Sequence, residues 1–247
     1  MTEIKPMISV VVPSYNRQQY FPLIHNCFLN QDYENKEMLV FDDSASPSIF
    51  FRNIKNVRYF YSSKRLSIGH KRNLLIKEAK GTVISHFDDD DYYAPHYLSS
   101  MLDFLQGNDL VHLTAWFCYS VHQQALGYWN TKEQSAVNYL MQSNKPLALV
   151  KGFPPNDAFI NGYGFSYFYK KALWQKTNFP NKNHGEDYEW FLALKDNSIV
   201  KAIEDEFCLA LHVIHKSNTS RCFPNYNMPN MLVDKLFGEA VNDYIKF

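Results

Sequence analysis

Cysteine is sparse in this chain and poorly placed for either of its structural uses. Cys27, Cys118, Cys208 and Cys222 are scattered through 247 residues with no Cys-x-x-Cys pair. That spacing indicates neither a zinc site nor a disulfide framework, so reduced thiols in a cytoplasmic compartment are expected. Excess charge is missing too. The 25 lysines and arginines balance the 25 aspartates and glutamates, which removes the global attraction that draws basic proteins to nucleic acid. Long apolar runs are also absent: Ile8–Val12 is too short for a signal peptide, and nothing approaches the roughly 20 apolar residues of a membrane span. Neither a nucleic-acid partner nor a transmembrane segment is expected. Repeats, low-complexity tracts and linkers are lacking, and the length is near the size at which one core stops growing. A single domain over residues 1–247 is expected, with functional halves at 1–105 and 106–247.

What is present is an alternation of short β-branched runs with helical patterns. Strands are predicted at Ile8–Val12, Glu37–Phe41, Val57–Tyr61 and Thr82–Phe87. Between them the spacing predicts helices over about 18–29 and from near Ile68 to Ala79, with Gly81 as a stop before the fourth strand. Such alternation implies an α/β fold with a mostly parallel sheet flanked by helices. Ligands of such sheets bind beyond the carboxyl ends of the strands, and three of those ends carry polar clusters: Pro13-Ser14-Tyr15-Asn16-Arg17, Asp42-Asp43-Ser44 and Asp88-Asp89-Asp90-Asp91. Beyond these, the pattern predicts a helix over about 96–105, a strand at 110–119, a helix at about 186–195, strands near 199–203 and 208–214, and a C-terminal amphipathic helix over about 230–245. Residues 123–155 show no assignable period.

The four consecutive aspartates are the most informative feature. Ionised and in contact, each neighbouring pair would repel by about 4 kcal/mol at the effective dielectric of a protein surface. Something positive must compensate them, and a hard divalent cation is the usual partner for oxygen donors. Aspartate is also a common cap, and Asp91, just before Tyr92-Tyr93-Ala94-Pro95, suits the start of a helix with proline in its first turn. Glu186 and Asp187 follow Gly185 and precede an apolar helical run, so both occupy a first helical turn. Acidic residues there either complement the macrodipole or face a pocket. The 17 tyrosines and 19 phenylalanines suit stacking on sugars and bases as well as ordinary packing.

Five segments in order carry a resemblance: Ile8-Ser-Val-Val-Val-Pro-Ser-Tyr-Asn-Arg17, Phe41-Asp-Asp-Ser44, Gly69-His-Lys-Arg-Asn73 with Ala79-Lys-Gly81, Phe87-Asp-Asp-Asp-Asp91, and Gly185-Glu-Asp187. Together they resemble the family-2 glycosyltransferases, nucleotide-sugar-dependent enzymes of the GT-A fold. Residues 8 to about 105 fit closely in order and spacing; the remainder fits through short motifs.

The resemblance implies transfer of a sugar from a nucleoside diphosphate sugar to an acceptor hydroxyl of a saccharide or glycoconjugate, inverting and metal dependent. Pro13, Ser14 and Tyr15 match the base-contacting segment, with Tyr15 stacking on the base or packing in the core. Asp43 matches the carboxylate that accepts from the base, which suits a uracil imide N–H and hence a UDP-sugar. Asp42 either shares that task or fixes the turn. Arg72 is placed beside the base or diphosphate, Lys71 is either its helper or part of a solvated face, and Arg17 contacts phosphate or opens its helix. Asp88, Asp89 and Asp90 fall on the family's DXD-type triplet, with Asp90 the ligand of Mn²⁺ or Mg²⁺ and Asp88 or Asp89 near the ribose. His215, with Asn218, is a candidate second metal ligand. Asp187 matches the general base, and Glu186 reads as an acceptor contact or as the partner of a basic side chain. Trp190, like Trp116 and Tyr163, is a candidate for stacking on the acceptor sugar or for the core.

Two other readings remain. A non-catalytic module would keep the nucleotide pocket without turnover. A sugar-1-phosphate nucleotidyltransferase would need a glycine-rich loop after the first strand to cradle a triphosphate, and Pro13–Arg17 contains no glycine.

Overall fold

A computed structural model describes residues 5–143, 145–218 and 221–246. In chain order the elements are β1 (Ile8–Ser14), α1 (Phe21–Leu29), β2 (Lys36–Asp42), β3 (Val57–Tyr61), α2 (Ile68–Glu78), β4 (Val83–His86) and β5 (Tyr92–Tyr93). There follow α3 (Tyr97–Leu105), β6 (Leu110–Ser120), β7 (Ala125–Asn130), β8 (Val137–Leu140), β9 (Ala148–Lys151), α4 (Asp157–Asn161), β10 (Phe168–Lys170) and α5 (Lys171–Lys176). The chain closes with α6 (Glu186–Leu194), β11 (Val200–Glu204), β12 (Ala210–Ile214), β13 (Tyr226–Met228), α7 (Leu232–Phe237) and α8 (Asn242–Ile245). These elements form two compact units. One takes the residues up to Asp89 with Pro95–His112 and Asn161–Ala202; the other takes Asp90–Ala94, Leu113–Ile160 and the chain from Ile203.

In the first unit, β1 lies between β2 and β4 and parallel to both, and β3 extends the sheet parallel to β2. Strand β10 is antiparallel to β4 and to the first residues of β6. This is the expected mostly parallel α/β sheet. Its inner strands read as unbroken apolar runs because they are covered on both faces: Val10, Val11, Val12, Met38, Leu39 and Val40 are all fully buried. The helices explain how one element serves both core and site. Helix α2 buries Lys71, Arg72, Leu75 and Ile76, and α6 buries Glu186, Trp190, Phe191 and Leu194. At helical spacing each is a single stripe, charged in its first turn and apolar afterwards. The apolar parts join Val11, Leu39, Ile84 and Phe179 in one core.

In the second unit, the rest of β6 pairs parallel to β12 and antiparallel to β7, β7 pairs with β13, and β12 pairs with β5. The stretch without a sequence period holds β7 and the hairpin β8–β9. Two expectations need correction. Tyr92 and Tyr93 do not lead into a helix but form β5, and α3 starts after His96. The single C-terminal helix is broken into α7, a 3₁₀ turn at Glu239–Val241 and α8, because Gly238 sits at φ 77°, ψ 169°, a conformation that side chains disfavour.

Candidate active site

The parallel register sets Ser14 opposite Asp42 and Val11 opposite His86, so the polar segments that follow β1, β2 and β4 emerge at one edge of the sheet. Pro13 stays in the ladder opposite Phe41. Asp42 fixes the turn: Ser44 donates to it through its backbone N–H and hydroxyl, and Gln18 and Tyr59 donate to its other oxygen. Asp43 is the one with cationic partners, accepting from Lys71 Nζ at 2.9 Å, Arg65 Nη1 at 2.8 Å and the Leu66 amide at 2.7 Å. Lys71 also donates to the Ser14 carbonyl at 2.7 Å. Burial pulls its pKa below the ordinary lysine value while Asp43 pulls it back up, so Lys71 is an internal brace and not part of a solvated face. Tyr15 is 39% exposed, and the Arg65 guanidinium lies 3.3 Å above its ring centre.

The charged starts of the two helical stripes meet. Arg72 Nη1 donates to Glu186 Oε1 at 2.5 Å, and its Nη2 lies 3.8 Å from Asp88. Of the two readings of Glu186, the partner of a basic side chain is therefore the one realised. Beside it, Asp187 accepts from the Gly164 amide on Oδ2 and from the Tyr188 amide on Oδ1, each at 2.8 Å. Burial, and then the charge of Glu186, push the Asp187 pKa above the usual carboxylate value, against the pull of Arg72 and the two amides.

Sequence reasoning missed His86. Its Nδ1 faces the Gly164 carbonyl at 2.9 Å and its Nε2 the Tyr169 hydroxyl at 3.1 Å. A carbonyl only accepts, so Nδ1 carries the proton. Burial, reinforced by Arg72, holds the ring neutral. His86 and Asp187 thus grip the Gly164 residue at its carbonyl and its amide. Gly164 and Arg65 were missed as well, for neither stands in a periodic pattern. Of the two readings of Trp190, a sugar platform or the core, the core is the one realised. Trp190 is 1% exposed, stacked on Phe179 at 4.4 Å, and its indole N–H bonds the Thr177 carbonyl. Trp116 is likewise buried, against Trp129, and Tyr163 is half-buried.

The aspartate run crosses the boundary between the units, and each member has its own basic partner within its unit. Asp88 faces Arg72. Asp89 takes Arg17 at 3.1 Å and the Ser14 hydroxyl at 2.5 Å. Asp90 takes His215 Nε2 at 2.9 Å and Asn218 Nδ2 at 3.2 Å. Asp91 takes His212 Nδ1 at 2.8 Å and the Val213 amide at 2.9 Å, so it ties down β12 and caps no helix. Burial lowers the His212 pKa, but Asp91 outweighs it and the value rises to about 10. The Ser217 amide donates to His215 Nδ1, which leaves the proton on Nε2. In this arrangement His215 orients Asp90 and offers no lone pair to a metal. Repulsion within the run is therefore met by the protein itself, and the case for a cation rests on the donors. Within the second unit, the carboxylates of the successive residues Asp90 and Asp91 are hard oxygen donors of the kind that Mg²⁺ or Mn²⁺ takes.

Residues 9–175 match the family model described as Glycosyl transferase family 2. The chain belongs to that family. It is 35% identical over 113 residues to an uncharacterized glycosyltransferase of Haemophilus influenzae, which covers 43% of this chain and 45% of the relative. Identity is 22% over 219 residues to the UDP-Glc:alpha-D-GlcNAc-diphosphoundecaprenol beta-1,3-glucosyltransferase WfgD of Escherichia coli, covering 87% of this chain and 79% of the relative. The chain spans less than half the length of the first curated relatives it matches. Among solved structures, S. aureus TarS 1-349 in complex with UDP-GlcNAc aligns with TM-score 0.62 at 18% identity, over 86% of this chain and 60% of that one. The mannosyltransferase PcManGT from Pyrobaculum calidifontis, in complex with GDP-Man and Mn2+, aligns with TM-score 0.59 at 15% identity, over 85% and 57%. At these identities the likeness shows the fold, which is the GT-A fold of family-2 glycosyltransferases. Among the described residues no helix is long and apolar enough to cross a membrane.

Proposed function

We propose that this chain is a single catalytic domain that transfers a sugar from a nucleoside diphosphate sugar, a UDP-sugar, to a hydroxyl of a saccharide or glycoconjugate acceptor, with inversion, and that it works in the cytoplasm. The observation that carries the reading is Asp187, a carboxylate made more basic by burial and by Glu186 and aimed by two backbone amides. Each of its oxygens keeps a lone pair after those bonds. A positioned base of raised pKa is what an acceptor hydroxyl needs in order to attack at neutral pH.

The other residues take supporting parts. Pro13 and Ser14 shape the base-contacting edge, Tyr15 offers its ring to the base, and Asp43 offers its carboxylate to an imide N–H. Lys71 holds Ser14 and Asp43 in place, and Arg17 fixes Asp89 on the ribose side. Arg72, paired with Glu186, is held ready beside Asp88 for the diphosphate. Asp90, steadied by His215 and Asn218, would hold Mn²⁺ or Mg²⁺, which supplies positive charge to the departing diphosphate. The two solved relatives support the donor class and the ion, since one is complexed with UDP-GlcNAc and the other with GDP-Man and Mn2+.

The test begins with thermal shift against nucleotide sugars and Mn²⁺, since a ligand at 100 times its dissociation constant adds about 2.7 kcal/mol. With the donor found, Asp187→Ala is expected to abolish transfer while leaving Mn²⁺-dependent nucleotide binding intact. Undiminished transfer by that variant would refute the assignment of the base. A non-catalytic binding module would show the binding and no transfer in either protein.

A further inference from the structure

One side chain occupies both groups assigned to the base. The Arg65 guanidinium lies over the Tyr15 ring, its central carbon 3.3 Å from the ring centre, and the same guanidinium donates to Asp43 Oδ1 at 2.8 Å. The face of Tyr15 from which Asp43 can be reached is therefore the face that Arg65 covers. A planar base that stacks on the ring and gives its N–H to Asp43 makes the two contacts that Arg65 makes, in the same place.

We infer that Arg65 competes with the nucleobase, and that its withdrawal sets the affinity of the donor subsite. This rests on the reading of Tyr15 and Asp43 as base contacts. The alternatives for yielding are poor. Lys71, the other cation on Asp43 Oδ1, is buried and held by the Ser14 carbonyl as well. The Leu66 amide is fixed in the backbone and bonds the other oxygen. Arg65 is 46% exposed in its side chain, sits in the loop before α2, and can swing into water, where its charge is well solvated. After it leaves, Asp43 keeps Lys71 as its countercharge, and Oδ1 regains a lone pair for an imide N–H.

A competing conformer reduces apparent affinity by the fraction of molecules in which the subsite is open. Removing it raises affinity for ligands that carry a base and for no others. The experiment is calorimetric titration of wild type, Arg65→Ala and Arg65→Gln with UDP and with inorganic pyrophosphate, each with Mn²⁺. Expected are dissociation constants for UDP about three- to tenfold lower in both variants, with pyrophosphate bound no more tightly than by wild type. Unchanged or weaker UDP binding by the variants would overturn the inference and make Arg65 a bystander or a contact of the base. An equal gain for pyrophosphate would overturn it too, since the effect would not then involve the base. If no form of the protein binds UDP, the reading of Tyr15 and Asp43 falls and the inference falls with it. Circular dichroism checks that each variant is folded, and two substitutions of different size guard against a local collapse at one of them.

Discussion

The Gly164 amide donates to Asp187 at 2.8 Å, and the closeness that permits this leaves no room for a side chain at 164. A Cβ there would lie 2.7 Å from Asp187 Cβ and 2.9 Å from its Oδ2. Gly164→Ala is therefore expected to displace the carboxylate. A shift of about 1 Å costs about 100-fold in turnover, and overpacking of this kind costs about 1–3 kcal/mol of stability. UDP binding should be unaffected. Steady-state kinetics beside a UDP titration would check this, and loss of UDP binding would contradict it.

The Asp187 carboxyl is held above its ordinary value of 3.8, so two pH effects share one origin. Turnover should fall on acidification through the raised value, because the base is lost. Stability should move the other way: the folded chain binds the proton more tightly than the unfolded one, so this contribution is full below 3.8 and is lost as pH rises through the raised value. Urea midpoints across that window should fall more steeply in wild type than in Asp187→Asn, which keeps only the contribution of Asp91, also raised by burial.

His212 gives an effect at the alkaline end. Its pKa is raised from 6.5 to about 10 beside Asp91, so its stabilising contribution is complete below 6.5 and disappears as pH rises toward 10. Melting temperatures of wild type should decline over that range more steeply than those of His212→Gln. Parallel curves would show that the pair is not charged in the folded protein.

Glu186→Ala leaves Arg72 buried with Asp88 only at 3.8 Å. Removing one member of a buried ion pair costs about 3–5 kcal/mol, so denaturant stability should fall by that order. Glu186→Gln keeps an acceptor for Arg72 and should cost less. In that variant the acid limb of the rate profile should move to lower pH, because Glu186 helps to raise the Asp187 pKa.

The first half of the chain was legible because its strands are short buried runs bounded by turn residues and its helices carry one stripe each. Asp42, Asp43, Asp187 and the acidic run stand at element ends, where topology alone says that chemistry collects. What escaped lacks a local pattern. Arg65 is an ordinary loop arginine until it is seen above Tyr15. His86 reads as one more strand residue until its two ring nitrogens find Gly164 and Tyr169. Trp190 is ambiguous in sequence because the α6 stripe passes from a charged start to an apolar remainder within one turn. Asp91 resembles a cap until it is matched with His212, far along the chain.

That separation has a consequence for how the protein is made. Asp91 and Asp90 bond partners 121 and 125 residues downstream, so during synthesis both carboxylates emerge long before the imidazoles that restrain them. Contacts closed over such spans form late. The turn at Asp90 should acquire its shape only after residue 215 has been made, and in ribosome-stalled chains stopped before residue 212 its amides are expected to exchange hydrogen freely.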